Sequence, residues 1–315
     1  MSKLFLGNWR SVLTLLAFVL FPLSAKAQTQ PFLNLGLTSF LDGAPPSGPG
    51  LYVQQYLIYY NATHFRDNQG NKVTNFPEAQ LFTGLYQFTY VAPHHLPGKM
   101  GWGLNMFIPV VFANENGSEG LGDLFFGPFL QWDPVMGKKG PIFMHRLELT
   151  GGFPIGHYDK NELLNPSSNI FYFNPYWSGT FFPRPEWSIS TRLQYVWNGT
   201  NNDPNAILFP NADSGQAGQA FLMNLASSYE MIPKRLRLGV NTYFLRQFTD
   251  SKINGVSVPG TQEQTLGIGP GALIHINRDS HLFLNVYFET LVRNRPEGTL
   301  WNVRFVRNFP VGRKD

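Results

Sequence analysis

The sequence predicts an all-β fold: a transmembrane antiparallel β-barrel of about twelve strands, with short periplasmic turns and long extracellular loops. Three observations carry the expectation. Many stretches alternate apolar and polar residues with period two, the pattern of a strand whose faces meet different surroundings. Aromatic residues make up 15% of the chain and charged residues only 14%, against about 25% charged in ordinary soluble domains. Mean hydropathy is nevertheless close to zero, as in a chain that is apolar on only one side of each strand.

The elements follow in order. Residues 1–27 read as a secretory signal peptide: "MSKLFLGNWR" supplies Lys3 and Arg10, "SVLTLLAFVLFPLS" is a short apolar run, and Ala25-Lys26-Ala27 is an A-x-A cleavage site. The run is shorter than the roughly 20 apolar residues of a spanning helix, so cleavage before Gln28 is expected rather than anchoring. Removal takes away Lys3, Arg10 and Lys26 with no acid, lowering the formal charge from +4 to about +1. No basic patch then remains to recruit nucleic acid. The chain has no cysteine, which excludes disulfides, thiol catalysis and Cys-ligated metals.

Residues 28–50, "QTQPFLNLGLTSFLDGAPPSGPG", are too rich in Pro and Gly for a regular helix. They are expected to be either a periplasmic tail or a plug folded into the lumen. The barrel is expected over 51–310, with a C-terminal tail at 311–315. Its strands fall near 51–62, 80–91, 101–112, 122–132, 142–154, 171–181, 187–198, 219–230, 235–248, 264–276, 281–292 and 299–309. Each is close to the 9–11 residues that a tilted membrane strand needs. "WSISTRLQYVWN" is the clearest: Trp187, Ile189, Thr191, Leu193, Tyr195 and Trp197 form one face, with Ser188, Ser190, Arg192, Gln194, Val196 and Asn198 opposite. Aromatics stand at both ends of the apolar face, where membrane girdles belong. Connections after odd-numbered strands are mostly long and polar, as in "TNNDPNAILFPNADSGQAG"; those after even-numbered strands are mostly short, as in "NRD". An even strand count places both barrel ends in the periplasm. A soluble β-sandwich would alternate too, but its outer faces would carry dense charge rather than isolated Arg and Glu.

"GLGDLFFGPFLQW", residues 120–132, carries glycines that suggest a phosphate loop, yet it has no G-K-[ST] and no following helix. As a strand it puts Leu124, Phe126, Pro128, Leu130 and Trp132 toward lipid, with a break in pairing expected at Pro128 and Gly127 making room in the lumen. His145 sits on the apolar face of its strand with no G-x-S-x-G nearby, and the His94-His95 pair is a weak metal signal. Asp and Asn residues in "NATHFRDNQGN" lack the closing Glu of a calcium loop. No cofactor is expected.

The expected lumen-lining residues are Phe125, Phe129, Arg146, Glu148, Arg192, Arg237, Tyr243, Phe283, Tyr287, Glu289 and Arg304. The charged members either pair internally and fill the barrel or form a constriction that selects solutes. The aromatic members suit a ligand with an apolar body and a polar handle.

"PPSGPGLYVQQYLIYYNATHFRDNQGNKV" followed by "GLGDLFFGPFLQW" resembles the bacterial family named for the meta-cleavage pathway of phenol degradation, over roughly residues 45–310. "GIGPGALIHI", Gly267 to Ile276, is compatible with it. The resemblance implies an outer-membrane barrel with a channel or transporter role and brings no catalytic residues. In one departure from barrel proteins that end on an aromatic, Phe309 is followed by "PVGRKD".

The sequence therefore reads as an outer-membrane channel for passive uptake of small hydrophobic or aromatic compounds. Its expected partners are membrane lipids, that solute and the barrel-assembly machinery. A small-solute or nucleoside-type porin is the first alternative, and an outer-membrane enzyme such as a phospholipase the second.

Overall fold

A computed structural model describes residues 29–46, 48–74, 78–113 and 118–310; the expected signal peptide and C-terminal tail lie outside them. Twelve long strands follow one another around a closed ring. They are β1 (Gly50–Arg66), β2 (Ala79–Val91), β3 (Met100–Ala113), β4 (Leu124–Trp132), β5 (Gly140–Phe153), β6 (Tyr172–Arg184), β7 (Trp187–Asn198), β8 (Ala220–Ile232), β9 (Leu236–Gln247), β10 (Gln264–Asn277), β11 (Ser280–Arg293) and β12 (Arg295–Pro310). Each pairs antiparallel with its chain neighbours, and β1 closes on β12 from Gly50↔Pro310 to Arg66↔Arg295. Closure leaves no unpaired edge, the condition for a sheet to cross a membrane.

The faces are those that period-two reading assigns, and the burial is inside out. On β12, Trp301 is 51% exposed while its neighbour Asn302 is 1% exposed. On β4, Phe126 is 40% exposed and points away from the ring. Asn105, Asn241 and Asn285 are buried, whereas Leu57, Leu225 and Val303 are exposed. A sandwich in water would reverse this order. An apolar outer wall of this extent is satisfied by lipid. Aromatics ring both rims of that wall: Phe82 with Phe112 and Phe153 with Phe171 at the long-loop end, Tyr90 with Trp102 and Phe143 with Trp177 at the short-turn end.

Three details depart from the sequence reading. β1 runs four residues past its expected end and β12 begins four residues early, because Phe65 and Arg66 go on pairing with Pro296 and Arg295. As a result the connection after β11 is not a long loop but Asn294 alone, in the left-handed conformation at φ 52° and tied to Asp67 O through its N–H at 3.1 Å. Gly127 does not open space for a solute: a Cβ there would lie 2.3 Å from Leu149 O, so the glycine lets β4 and β5 approach. Next to it, pairing between β4 and β5 lapses at Gly127 and Pro128, between Phe126↔Gly151 and Phe129↔Glu148, where Pro128 has no N–H to give.

The lumen is occupied by chain. Residues 29–46 run from the long-loop end, where Gln30 N–H donates to Glu263 Oε1 at 2.8 Å, to the short-turn end, where Gly43 N–H donates to Thr180 Oγ1 at 2.9 Å. The chain then enters β1. This stretch forms no strand or helix, so its backbone polar groups need partners on the wall. Inward-facing side chains provide them: Tyr172 OH to Phe32 O (3.0 Å), Asn224 Nδ2 to Asn34 O (3.2 Å), Asn302 Nδ2 to Gly36 O (2.8 Å) and Tyr287 OH to Thr38 O (3.0 Å). Three apolar anchors alternate with these bonds. Leu33 belongs to a cluster with Phe125, Tyr172 and Leu222, Leu37 to one with Tyr56, Leu85 and Tyr287, and Phe40 to one with Ala226, Leu273 and Phe283.

Candidate functional lumen

The eleven residues expected to line the lumen all project inward, and the structure sorts them into separate groups. Arg192 of β7 holds Asp42 of the N-terminal segment through two hydrogen bonds, Nε to Oδ2 at 2.9 Å and Nη2 to Oδ1 at 2.6 Å. Its guanidinium lies 3.9 Å above the ring of Tyr176 on β6. The planar fork of arginine matches a carboxylate and an aromatic face at once, which a lysine cannot do. Tyr176 donates in turn to Glu148 on β5, which also accepts from Asn105 on β3 and from Thr150. Every oxygen of the buried Glu148 carboxylate is therefore met.

The chain of polar contacts continues around the wall. Asn105 Oδ1 accepts from Gln87 Nε2 at 3.2 Å, and Gln87 Oε1 accepts from Tyr56 OH at 2.8 Å. Tyr56 OH also accepts from Arg304 Nη1 at 3.4 Å. Among the described residues Arg304 forms no salt bridge with a carboxylate; its guanidinium lies 3.7 Å over the ring of Phe283. Arg146 likewise pairs with neutral groups, donating to Gln131 Oε1 at 2.9 Å and covering Phe129 at 4.5 Å. Arg237, near the short-turn end, donates to Ser228 Oγ at 3.1 Å and Glu186 O at 2.9 Å, with Glu230 at 3.9 Å.

Glu289 forms a second centre toward the long-loop end. It accepts from Tyr60 OH at 2.6 Å, Tyr243 OH at 3.0 Å, Thr265 Oγ1 at 3.2 Å and Gly298 N–H at 3.0 Å. Tyr243 and Tyr287 pack ring against ring at 5.1 Å. In the loop before β10, burial pushes the Glu263 carboxyl up from its ordinary range, opposed by Arg295 and by the Gln30 N–H.

Of the two arrangements open to these charges, pairing with one another or standing apart, the structure shows little of the first. Arg192 takes its acid from the N-terminal segment, and Glu148 and Glu289 are satisfied by hydroxyls and amides. Sequence reasoning missed Asp42, Phe40, Leu33, Tyr56, Tyr172 and Tyr176. The two tyrosines of β6 share the inward phase of their strand, so period two could have found them. Asp42 carried no such signal, being 150 positions from its partner. His145 faces outward and stacks on Trp132 at 4.4 Å, away from the lumen. His95 Nε2 lies 3.5 Å from Asp133, between the short turns.

Between the N-terminal segment and the wall lies a cavity of about 50 Å³, lined by Phe32, Leu33 and Leu37 on one side and by Leu85, Phe107, Phe125, Tyr176 and Arg192 on the other. A cavity of about 150 Å³ is what holds a benzene molecule. With residues 29–46 in place this cavity is too small to hold a benzene ring.

Comparisons with known proteins add the following. Residues 62–305 match the model of the family described as "Putative MetA-pathway of phenol degradation". A search of the curated proteins finds no match. Among solved structures, the COG4313 outer membrane channel from Pseudomonas putida F1 is similar at 16% identity, with 85% of this chain and 98% of that chain covered and a TM-score of 0.74. A mutant of the TodX monoaromatic hydrocarbon channel is similar at 8% identity, with 84% and 91% covered and a TM-score of 0.50.

Proposed function

Because the chain belongs to the family described by that phenol-degradation model, we propose that it is a passive outer-membrane channel for small hydrophobic or aromatic compounds, closed at rest by residues 29–46. The observation that carries the reading is the inside-out barrel whose lumen combines aromatic rings with a few guanidinium and carboxylate groups. Such a lining offers a solute apolar contact along its body and one or two polar handles. The segment in the lumen is held by many separate contacts rather than by strand pairing, so its release can be local while the barrel stays intact. The similarity to the TodX monoaromatic hydrocarbon channel supports the solute class. A wet porin lumen would leave an open path for sugars, whereas here the path is filled from Gln30 to Gly43.

The test is uptake by intact Gram-negative cells, whose lipopolysaccharide leaflet slows aromatic diffusion as plain phospholipid does not. Cells making the protein are expected to take up a labelled monoaromatic compound faster than cells without it, with no gain for a nucleoside or a disaccharide. Nucleoside or sugar uptake without aromatic uptake would reject the proposal.

A further inference from the structure

We propose that Arg192 and Tyr176 form a binding site for an aromatic carboxylate, and that Asp42 occupies this site at rest as an internal stand-in for the ligand's carboxylate. The inference rests on the aromatic-channel reading above and specifies its solute class. Arg192 presents a two-pronged carboxylate contact to Asp42, with Nε–Oδ2 2.9 Å and Nη2–Oδ1 2.6 Å, and both side chains are nearly buried. The aromatic floor beneath it, Tyr176 at 3.9 Å, fixes the plane of the guanidinium. Arg192 and Tyr176 also line the cavity whose far wall is Leu85, Phe107 and Phe125. The cavity is too small for a ring with the segment in place, but once the segment moves a carboxylate on Arg192 has these apolar wall residues beside it to receive its ring.

Charge decides between a neutral and an anionic ligand. Two arginines, Arg146 and Arg192, act on the buried Glu148 carboxylate, whose oxygens are already taken by Tyr176, Asn105 and Thr150. Asp42 supplies the second negative charge. If the segment leaves alone, Arg192 loses its direct carboxylate partner and only Glu148 is left to balance Arg146 and Arg192. An incoming carboxylate restores the pair as Asp42 departs, so anion exchange and release of the segment are one event. A neutral phenol or hydrocarbon lacks this coupling. The contact that holds the channel shut is on this view the contact that the solute replaces.

The experiment uses the purified full chain in detergent, with benzoate and its neutral isostere benzamide titrated calorimetrically. Asp42→Asn removes the internal competitor with little change of shape. Expected is a gain of at least about tenfold in benzoate affinity over the unsubstituted protein, with a much smaller gain for benzamide. Equal gains for the two ligands, or none for benzoate, would overturn the inference. Adding Arg192→Lys keeps the charge but loses the fork, and the benzoate gain is expected to disappear; its persistence also counts against the site. A second readout needs neither change: in Ser39→Cys protein, benzoate should accelerate maleimide labelling and benzamide should not, and equal or absent acceleration contradicts the proposal. If cells also fail to take up neutral aromatics, the broader channel reading falls with it. If neutral aromatics enter and benzoate shows no preference, only this inference falls.

Discussion

Replacing Phe40 by Ala tests how the lumen is closed. Phe40 is fully buried against Ala226, Leu273 and Phe283, all on the barrel wall. A Phe→Ala change in a packed interior costs about 3–5 kcal/mol. Because Phe40 lies on the irregular segment and not on a strand, the cost falls on docking of that segment rather than on barrel pairing. Each 1.4 kcal/mol is about a factor of ten in an equilibrium, so the docked-to-undocked ratio should fall by a factor of about 10² to 4 × 10³. The chain has no cysteine, which leaves Ser39→Cys as a clean reporter. Ser39 is 1% exposed and bonded to Asn285 at 3.0 Å. Adding Phe40→Ala should raise its maleimide labelling rate by about two orders of magnitude, while heat-dependent gel migration still reports a folded barrel. A rate within about threefold of the single variant would mean that Phe40 does not hold the segment, and the reasoning would fail.

The other predictions are simpler. Glu289→Ala leaves Tyr243 and Thr265 without their acceptor, while Tyr60 keeps Pro296 O at 3.1 Å, at about 1–3 kcal/mol for each buried unpaired group; the temperature at which the folded gel band converts should drop clearly, and an unchanged temperature would show that water replaces the carboxylate. Gly43→Ala places a Cβ 2.6 Å from Met144 O and Thr180 N, so the segment must lift from the wall; labelling of Ser39→Cys should rise at least about tenfold, and no rise would mean that the wall yields instead. His145→Ser removes an outward stack on Trp132 and should change aromatic uptake by less than about twofold, as for surface positions generally; loss of a lipase activity in this variant would point to the enzyme alternative.

The sequence disclosed what depends on local period and hid what depends on long-range pairing. On β7, Trp187 through Asn198 alternate so regularly that strand bounds and both faces could be read directly. The same logic placed Arg192, Tyr243 and Tyr287 inside, because side chains two apart on a strand share a face. The segment before β1 has no period to read. Its place in the lumen depends on partners far along the chain, such as Asn302 for Gly36 O and Arg192 for Asp42. The short connection at Asn294 was hidden for a related reason: β1 and β12 extend through Arg66↔Arg295, a pairing of the first and last strands of the barrel. Gly127 shows a third kind of limit. Its inward phase was legible, but the close approach of Leu149 O that requires a glycine belongs to the neighbouring strand.

The central claim is that aromatic solutes pass through the lumen only when residues 29–46 move aside. Ser39 Oγ lies 3.0 Å from Asn285 Oδ1, so Ser39→Cys with Asn285→Cys can bind the segment to the wall by an oxidant-formed disulfide. Uptake of a labelled monoaromatic compound by cells carrying this double variant is the direct measurement. Oxidation is expected to reduce uptake to the level of cells lacking the protein, and a reductant to restore it. Uptake that continues unchanged across the closed disulfide would contradict the account.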